Sequence, residues 1–169
     1  MGKKRRIIVA ALLLLMLTLS FTFLYPDKVM ANAGGSFVFD SPPTRIIIPS
    51  IGRSLGVASS PLVYNTWEVS LDGASFGEST ALPGNGGNTV IFAHALPTFF
   101  GLLPNVRQGD LIHVFTNKDW FVYRADEILI VDPEERKVLF DNERNELTLY
   151  TCTGEGYVRR FVVKASMVL

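Results

Sequence analysis

Short apolar runs separated by turn-forming residues make up most of the chain after residue 41. In the clearest run, Leu111, His113 and Phe115 share one face of a predicted strand and Ile112 and Val114 the other, because successive side chains of a strand point to opposite sides. Gly, Pro, Asn and Asp interrupt the runs at spacings typical of sandwiches and barrels. The strands predicted in this way are 45–48, 62–64, 89–93, 111–116, 120–130, 147–152 and 160–168.

The expected fold class is therefore all-β, and a closed barrel fits the pattern best. Helix is scarce here, and only segment 99–106 is expected to form a short helical turn or two. Segments 83–88 and 109–110 are rich in Gly, Asn and Asp and predict tight turns. The 128 residues of segment 42–169 suffice for one domain with its own core, so one compact domain is expected.

The first 25 residues combine a basic tail with an apolar run. Four basic residues at 3–6 precede eighteen uncharged residues at 7–24, and basic residues before an apolar run hold the N-terminus in the cytoplasm. Eighteen helical residues span about 27 Å, close to the roughly 30 Å of a bilayer core. The sequence predicts a cytoplasmic tail at 1–6, one transmembrane helix acting as a signal anchor at 7–25, and a stalk at 26–41.

The alternative for this region is a cleaved signal peptide. Ala31, Asn32 and Ala33 offer a small-x-small cleavage site, but the apolar run exceeds the roughly 7–15 residues usual in cleaved signals, which favours the anchor. Both interpretations place the rest of the chain outside the membrane. That part has twelve basic and sixteen acidic residues, a net charge of −4, which argues against a nucleic-acid-binding surface.

Cys152 is the only cysteine of the chain, and it ends the alternating stretch 147–152. Exported proteins normally use cysteines in pairs, as disulfides, and a lone thiol has no partner within its own chain. Such a thiol is either buried and inert, since free cysteine packs as a small hydrophobe, or it takes part in chemistry.

A nucleophilic cysteine needs a neighbour that stabilises its thiolate or moves protons, and histidine suits this at neutral pH. His94 directly follows an apolar strand and opens a loop, a place where scaffolds commonly present reactive groups. His113, the other histidine, lies in mid-strand, where a half-exposed structural role is the more common one.

Arg159 and Arg160 begin the last apolar strand. A hairpin through 153–157 brings the start of this strand back beside Cys152, where a guanidinium can bond a substrate carbonyl or a developing oxyanion. Adjacent strand residues face opposite ways, so only one of the two arginines can point into a site. Taken alone, two strand arginines are more often a solvated surface feature.

Together these segments resemble the sortases, membrane-anchored cysteine transpeptidases of bacterial surfaces. Thr-Leu-Tyr-Thr-Cys at 148–152 and Arg-Phe-Val-Val at 160–163 are similar to the Thr-Leu-x-Thr-Cys and Arg-aliphatic-x-Val segments of that family. Gly-Asn-Thr-Val-Ile-Phe-Ala-His at 87–94 is similar to its Gly-Asn-x-x-aliphatic-x-Gly-His stretch. The likeness extends over 45–49 and 109–112, and thus over the whole domain in the right order.

The resemblance implies a closed sortase-type β-barrel with Cys152 as nucleophile, His94 as acid and base, and Arg160 binding or polarising the substrate carbonyl. It places Thr151 and Ala93 at the substrate-binding site. The implied clients are surface proteins with a C-terminal sorting motif of the LPxTG type, and the acyl acceptor is an amine of the cell wall or a pilin. Neither a cofactor nor a metal is expected.

Two positions depart from the family pattern, and two other functions stay open. Ala93 stands where the family usually has glycine, and Ala95 where a polar residue often follows, which bears on specificity and subclass. A hydrolase using the same residues, or a non-catalytic anchored β-domain, would also fit. One cysteine and two histidines give no close metal cluster, although loop carboxylates such as Glu134 and Glu135 could hold a structural cation.

Overall fold

The computed structural model describes Gly2 and residues 38–139 and 144–168. The predicted tail, the predicted anchor and residues 26–37 of the predicted stalk lie outside this range, apart from Gly2, so these assignments stay predictions. Among the described residues, no helix has the length and apolar character needed to cross a membrane.

Ten strands and four short 3₁₀ turns make up the described part. The strands are β1 (Arg45–Ile48), β2 (Arg53–Ser60), β3 (Leu62–Val63), β4 (Thr66–Trp67), β5 (Ala74–Gly77), β6 (Asn88–Phe92), β7 (Leu111–Phe115), β8 (Trp120–Val131), β9 (Glu146–Thr153) and β10 (Arg159–Met167). The 3₁₀ turns are Pro49–Ile51, Phe100–Asn105, Arg136–Leu139 and Glu155–Tyr157. The expected all-β fold with little helix is confirmed, including the short turn near residue 100.

Eight of these strands form a closed barrel in the order β1-β2-β5-β6-β9-β10-β8-β7, and β7 pairs with β1 to close it. The predicted barrel is thus confirmed. Two of the pairings, β2 with β5 and β6 with β9, are parallel, and the others are antiparallel. Strands β3 and β4 form a separate hairpin, whose turn residues Tyr64 and Asn65 both have positive φ angles, as tight two-residue turns require.

One side of each barrel strand packs into the core. On β9, Leu147 and Leu149 are fully buried, and on β10, Val163 joins them in the same apolar cluster. The side chains between them point to the outer surface of the barrel, because the strand period is two. The outer face of β6, β9 and β10 is consequently a separate surface.

Residues at the end of the predicted stalk contact the barrel. The ring of Phe39 packs edge-to-face against Phe121, with ring centroids 4.9 Å apart. The Phe39 amide donates to the Asn85 side chain at 2.7 Å, and the Lys118 ammonium lies 2.7 Å from Asp40. These contacts fix residues 39 and 40 against the turns of the barrel.

Three strands were not predicted. β2, β4 and β5 all lie between residues 53 and 77, where the predicted pattern contained only segment 62–64. β2 and β5 are rich in Ser, Gly and Ala, which carry little apolar signal, and β4 has only two residues. They are held by pairing with one another or with neighbouring strands rather than by local strand propensity.

Candidate active site

Cys152, Arg160 and His94 lie along one line across three neighbouring strands. Cys152 on β9 is directly opposite Arg160 on β10. β6 runs parallel to β9 with Phe92 beside Tyr150, and His94 and Cys152 each come two residues later. Because parallel strands advance equally, the histidine and the cysteine reach the same level of the barrel.

The alignment of β6 with β9 continues beyond the last residue of β6. The Ala93 amide donates to the Tyr150 carbonyl at 3.4 Å, and the Thr151 hydroxyl donates to the Ala93 carbonyl at 2.8 Å. Both residues are buried, and the hydroxyl of Thr151 is engaged in this bond. Ala93 and Thr151 therefore tie the two strands together immediately before His94 and Cys152, and their predicted contact with substrate stays a prediction.

The alanine at position 93 does not disturb the backbone. Ala93 is absent from the described non-glycine residues with a positive φ angle, so this position does not need the conformational freedom of glycine. The departure from the family pattern is thus compatible with the observed geometry.

His94, Cys152 and Arg160 line a groove of about 570 Å³ on the outer face of the barrel. Its floor consists of side chains that alternate with core residues along β6, β9 and β10. The floor residues are Phe92, His94, Tyr150, Cys152, Arg160 and Val162. The thiol is half-buried and is the only free cysteine, so it is both accessible and held by regular sheet.

Two segments form the walls of the groove. One wall is the β3–β4 hairpin, which contributes Leu62, Asn65 and Trp67. The other is segment 132–139, at the start of the connection from β8 to β9, which contributes Asp132 and Val138 among others. A groove of this volume with a thiol on its floor is large enough to hold a ligand beside that thiol.

Three aromatic rings stack from the hairpin wall across the floor toward Cys152. Trp67 stacks on Phe92 with ring centroids 5.8 Å apart, and Phe92 stacks on Tyr150 at 5.1 Å.

Burial raises the pKa of Tyr150 to about 12, while the nearby Arg160 charge acts to lower this pKa and Cys152 to raise it. The phenol is therefore protonated at neutral pH and does not serve as a base. Strand parity with Cys152 would have placed Tyr150 on the site from sequence, whereas no sequence signal pointed to Trp67.

The two arginines occupy different surroundings. Arg160 lines the groove, and its Nη1 donates to the carbonyls of Tyr157 and Arg159, both at 3.2 Å. Arg159 pairs across the sheet with Thr153, and its Nε lies 3.1 Å from an Asp132 carboxylate oxygen. Arg160 is consequently the arginine placed beside the cysteine, while Arg159 bonds the end of β8 and the residue after it.

The loop after His94 packs mainly into the core. Phe100 and Leu103 are fully buried, whereas Leu96 is exposed, and none of these residues lines the groove. The Phe100 amide donates to the His94 carbonyl at 3.1 Å, which fixes the backbone of the histidine. This loop therefore contributes to the core rather than to the walls of the groove.

His113 lies on another part of the barrel. It pairs with Ile47 on β1 and Val122 on β8, and its Nδ1 accepts a hydrogen bond from the Trp120 indole at 3.2 Å. Within the described part of the chain, no three His, Cys, Asp or Glu side chains are placed to hold a metal ion.

Gly77 supports the aromatic stack, and we expect its replacement by alanine to displace Trp67. A Cβ atom at this position would lie 2.8 Å from Cε2 of the indole, closer than such contacts occur. The indole also donates to the Glu78 carbonyl at 3.0 Å, so it cannot shift freely. Gly77→Ala should change the tryptophan fluorescence and lower the free energy of unfolding by about 1 kcal/mol.

Gly56→Ala is the matched control for this change. It adds the same methyl group to another barrel strand, at a position where no atom lies within 4 Å. An unchanged tryptophan spectrum and unchanged stability in Gly77→Ala would contradict the placement of the indole. Equal effects of the two variants would do so as well.

Comparison with known proteins places this barrel and its cysteine groove in a family. A model of the sortase domain matches residues 46–168. Sortase A of Bacillus anthracis is 27% identical over 128 residues, which are 73% of this chain and 59% of that protein. The chain thus spans less than two thirds of the length of that relative.

Solved structures give the same result. Sortase C1 from Streptococcus suis is similar with a TM-score of 0.65 and 27% identity, over 76% of this chain and 74% of that one. A sortase D5 transpeptidase from Clostridium perfringens has a TM-score of 0.65 and 27% identity, over 78% of this chain and 83% of its own. The fold and the groove define a barrel protein with a cysteine site at a sheet surface. The chain belongs to the sortase family.

Proposed function

We propose that this protein is a cysteine transpeptidase that cleaves a sorting motif of client surface proteins and joins the client to an amine. The observation that carries the proposal is the line of His94, Cys152 and Arg160 across β6, β9 and β10. Membership of the sortase family supports it, as does the peptide-sized groove that these residues share.

In the first half-reaction, the Cys152 thiolate attacks the carbonyl carbon of the scissile peptide bond. The carbonyl oxygen becomes an oxyanion, which the Arg160 guanidinium stabilises. Two bonds of Arg160 to backbone carbonyls use Nη1, and a guanidinium has five N–H donors, so donors remain for the substrate. The C–N bond then breaks, His94 protonates the leaving amine, and a thioester with Cys152 remains.

In the second half-reaction, an amine attacks the thioester carbonyl. His94 accepts the proton of the incoming nitrogen, the C–S bond breaks, and the thiolate of Cys152 is regenerated. Covalent catalysis of this kind divides one difficult exchange into two acyl transfers. The acceptor proposed for this chain is an amine of the cell wall or of a pilin.

The proposed clients carry a C-terminal motif of the LPxTG type. An extended segment with apolar residues can lie over the stacked rings of Trp67, Phe92 and Tyr150 while its scissile carbonyl reaches Cys152. We propose the extracytoplasmic face of the cell membrane as the place of action. The basic tail at 3–6 and the apolar run at 7–24 support a single-pass anchor.

Intact mass spectrometry of the full chain with sorting-motif peptides, with and without triglycine, tests the proposed reaction. We expect an acyl adduct on Cys152 that converts to a triglycine-ligated peptide. Ligation identifies a transpeptidase, whereas an adduct that only releases free acid identifies a hydrolase. A reactive thiol that forms no adduct with any peptide of the pool would contradict the proposal.

A further inference from the structure

A polar cluster lies on the outer face of the same three strands that form the groove floor. Lys164 on β10 is directly opposite Thr148 on β9, and Asn88 on β6 is beside Glu146. The Lys164 ammonium lies 3.1 Å from a Glu146 carboxylate oxygen, and the two side chains are only 17% and 15% exposed. A lysine and a glutamate are rarely so buried unless they are paired, so this ion pair is a built feature of the surface.

The cluster is bonded to one wall of the groove. The Val138 carbonyl belongs to the 3₁₀ turn Arg136–Leu139 in the connection from β8 to β9, and Val138 itself lines the groove. The Lys164 ammonium donates to this carbonyl at 3.0 Å. A charged donor makes a stronger hydrogen bond than a neutral one, so this contact can fix the wall.

Lys164 is the main donor to this carbonyl. The Thr148 hydroxyl and the Asn88 amide also approach it, each at 3.4 Å. The Thr148 hydroxyl has one hydrogen and lies closer to Oδ1 of Asn88, at 2.8 Å. The shortest bond to Val138 is therefore that of Lys164, and the Glu146 carboxylate lies beside the lysine as its counter-charge.

The cluster is separate from the reacting groups. Lys164 and Thr148 are each four residues along their strands from Arg160 and Cys152, a separation of about 13 Å. The cluster is thus too far away to touch the scissile bond, yet it lies under the wall that a bound peptide would contact.

We propose that Lys164 is a positioning residue that holds segment 132–139 as a fixed wall of the groove and so sets affinity for the client peptide. The proposal rests on the proposed function for its substrate. A wall that is already in place before binding lowers the conformational cost of ordering the groove around the peptide. Lys164 takes no part in the acyl transfer itself.

The test compares Lys164→Met with Lys137→Met, using a sorting-motif peptide that the unaltered protein ligates. Lys137 is an exposed lysine of the same connection and does not line the groove. Its replacement therefore removes one positive charge but leaves the bond between Lys164 and Val138 intact. Lys164→Met should raise KM about tenfold, equivalent to about 1.4 kcal/mol of binding. The kcat and the alkylation rate of Cys152 should stay within about twofold of the unaltered protein, as expected when only binding is affected. Lys137→Met should change none of these quantities.

Amide hydrogen exchange of segment 132–139 is a second readout that needs no client. This segment should exchange faster in Lys164→Met and unchanged in Lys137→Met, since exchange reports local opening. If the unaltered protein ligates no peptide, the proposed function fails. Hydrogen exchange alone then decides whether Lys164 holds segment 132–139 in place. Unchanged exchange in Lys164→Met would overturn it.

Other outcomes also decide the proposal. An unchanged KM in a folded Lys164→Met protein overturns it, and so does a loss of thiol reactivity equal to the loss of turnover. If the unpaired Glu146 prevents folding of this variant, the double variant Lys164→Met with Glu146→Leu replaces the partly buried pair by apolar side chains, a change that is often neutral or stabilising. The double variant should show the same rise in KM, and a normal KM would refute the role of Lys164.

Discussion

Replacement of Cys152 by alanine is expected to abolish transpeptidation while the barrel stays folded. In the proposed mechanism the thiol forms the acyl-enzyme, and no other cysteine of the chain can replace it. Removal of a covalent nucleophile typically lowers kcat by at least about 10⁴-fold. Cys152 is only half-buried and is not part of the core cluster, so its loss should alter the free energy of unfolding by less than about 1 kcal/mol. Turnover by mass spectrometry and thermal unfolding measure the two effects.

Thr153→Ala is the matched control for this prediction. Thr153 is the next residue on β9, pairs with Arg159 rather than Arg160, and does not line the groove. We expect turnover close to that of the unaltered protein. Retained ligation in Cys152→Ala would show that the nucleophile is another group, and equal losses in both variants would show that damage to β9 is responsible.

The relation of Cys152 to Arg160 could be predicted from the sequence because it is local. Both belong to one hairpin, and the alternation along 147–152 and 160–168 predicts which side chains share a face. The observed pairing of Cys152 with Arg160 and of Thr153 with Arg159 agrees with this parity. Tyr150 and Val162 on the groove floor follow from the same parity.

The position of His94 could not be derived from periodicity. It depends on the parallel pairing of β6 with β9, two strands that are far apart in the chain, and the hydrophobic period does not encode which strands become neighbours. Residue chemistry made His94 the candidate partner of Cys152, but only the resemblance to sortases indicated that the two lie together. Parallel strands need a long crossover, and here the crossover contains β7 and β8.

The residues that form the walls of the groove could not be predicted from the sequence either. Trp67 lies on a strand of two residues and acquires its place by stacking on Phe92 above Gly77, which are tertiary contacts. Val138 is held by a partly buried lysine from β10 rather than by any local signal. The residues of the groove floor can therefore be predicted from the alternation along the strands. The residues of the walls depend on packing between distant segments.

Replacement of His94 by glutamine is expected to lower turnover by about 10²- to 10⁴-fold, the usual effect of losing a general acid and base. Glutamine retains hydrogen-bonding groups, and the His94 carbonyl that accepts the Phe100 amide is part of the backbone, so the loop should keep its structure. Glutamine cannot exchange a proton near neutral pH, so both protonation of the leaving amine and deprotonation of the acceptor should fail. Steady-state ligation of a sorting-motif peptide to triglycine measures the effect.

The same change at His113 provides a control within the same chain, which has only two histidines. His113 bonds the Trp120 indole on β8, outside the groove, and a glutamine oxygen can accept the same bond. His113→Gln should therefore ligate normally. If His94→Gln ligated as well as His113→Gln, proton transfer would have to come from another group, and the alignment of His94 with Cys152 across β6 and β9 would have a structural role only. If both variants lost turnover equally, the loss would reflect the barrel as a whole, because the two histidines have no groove in common.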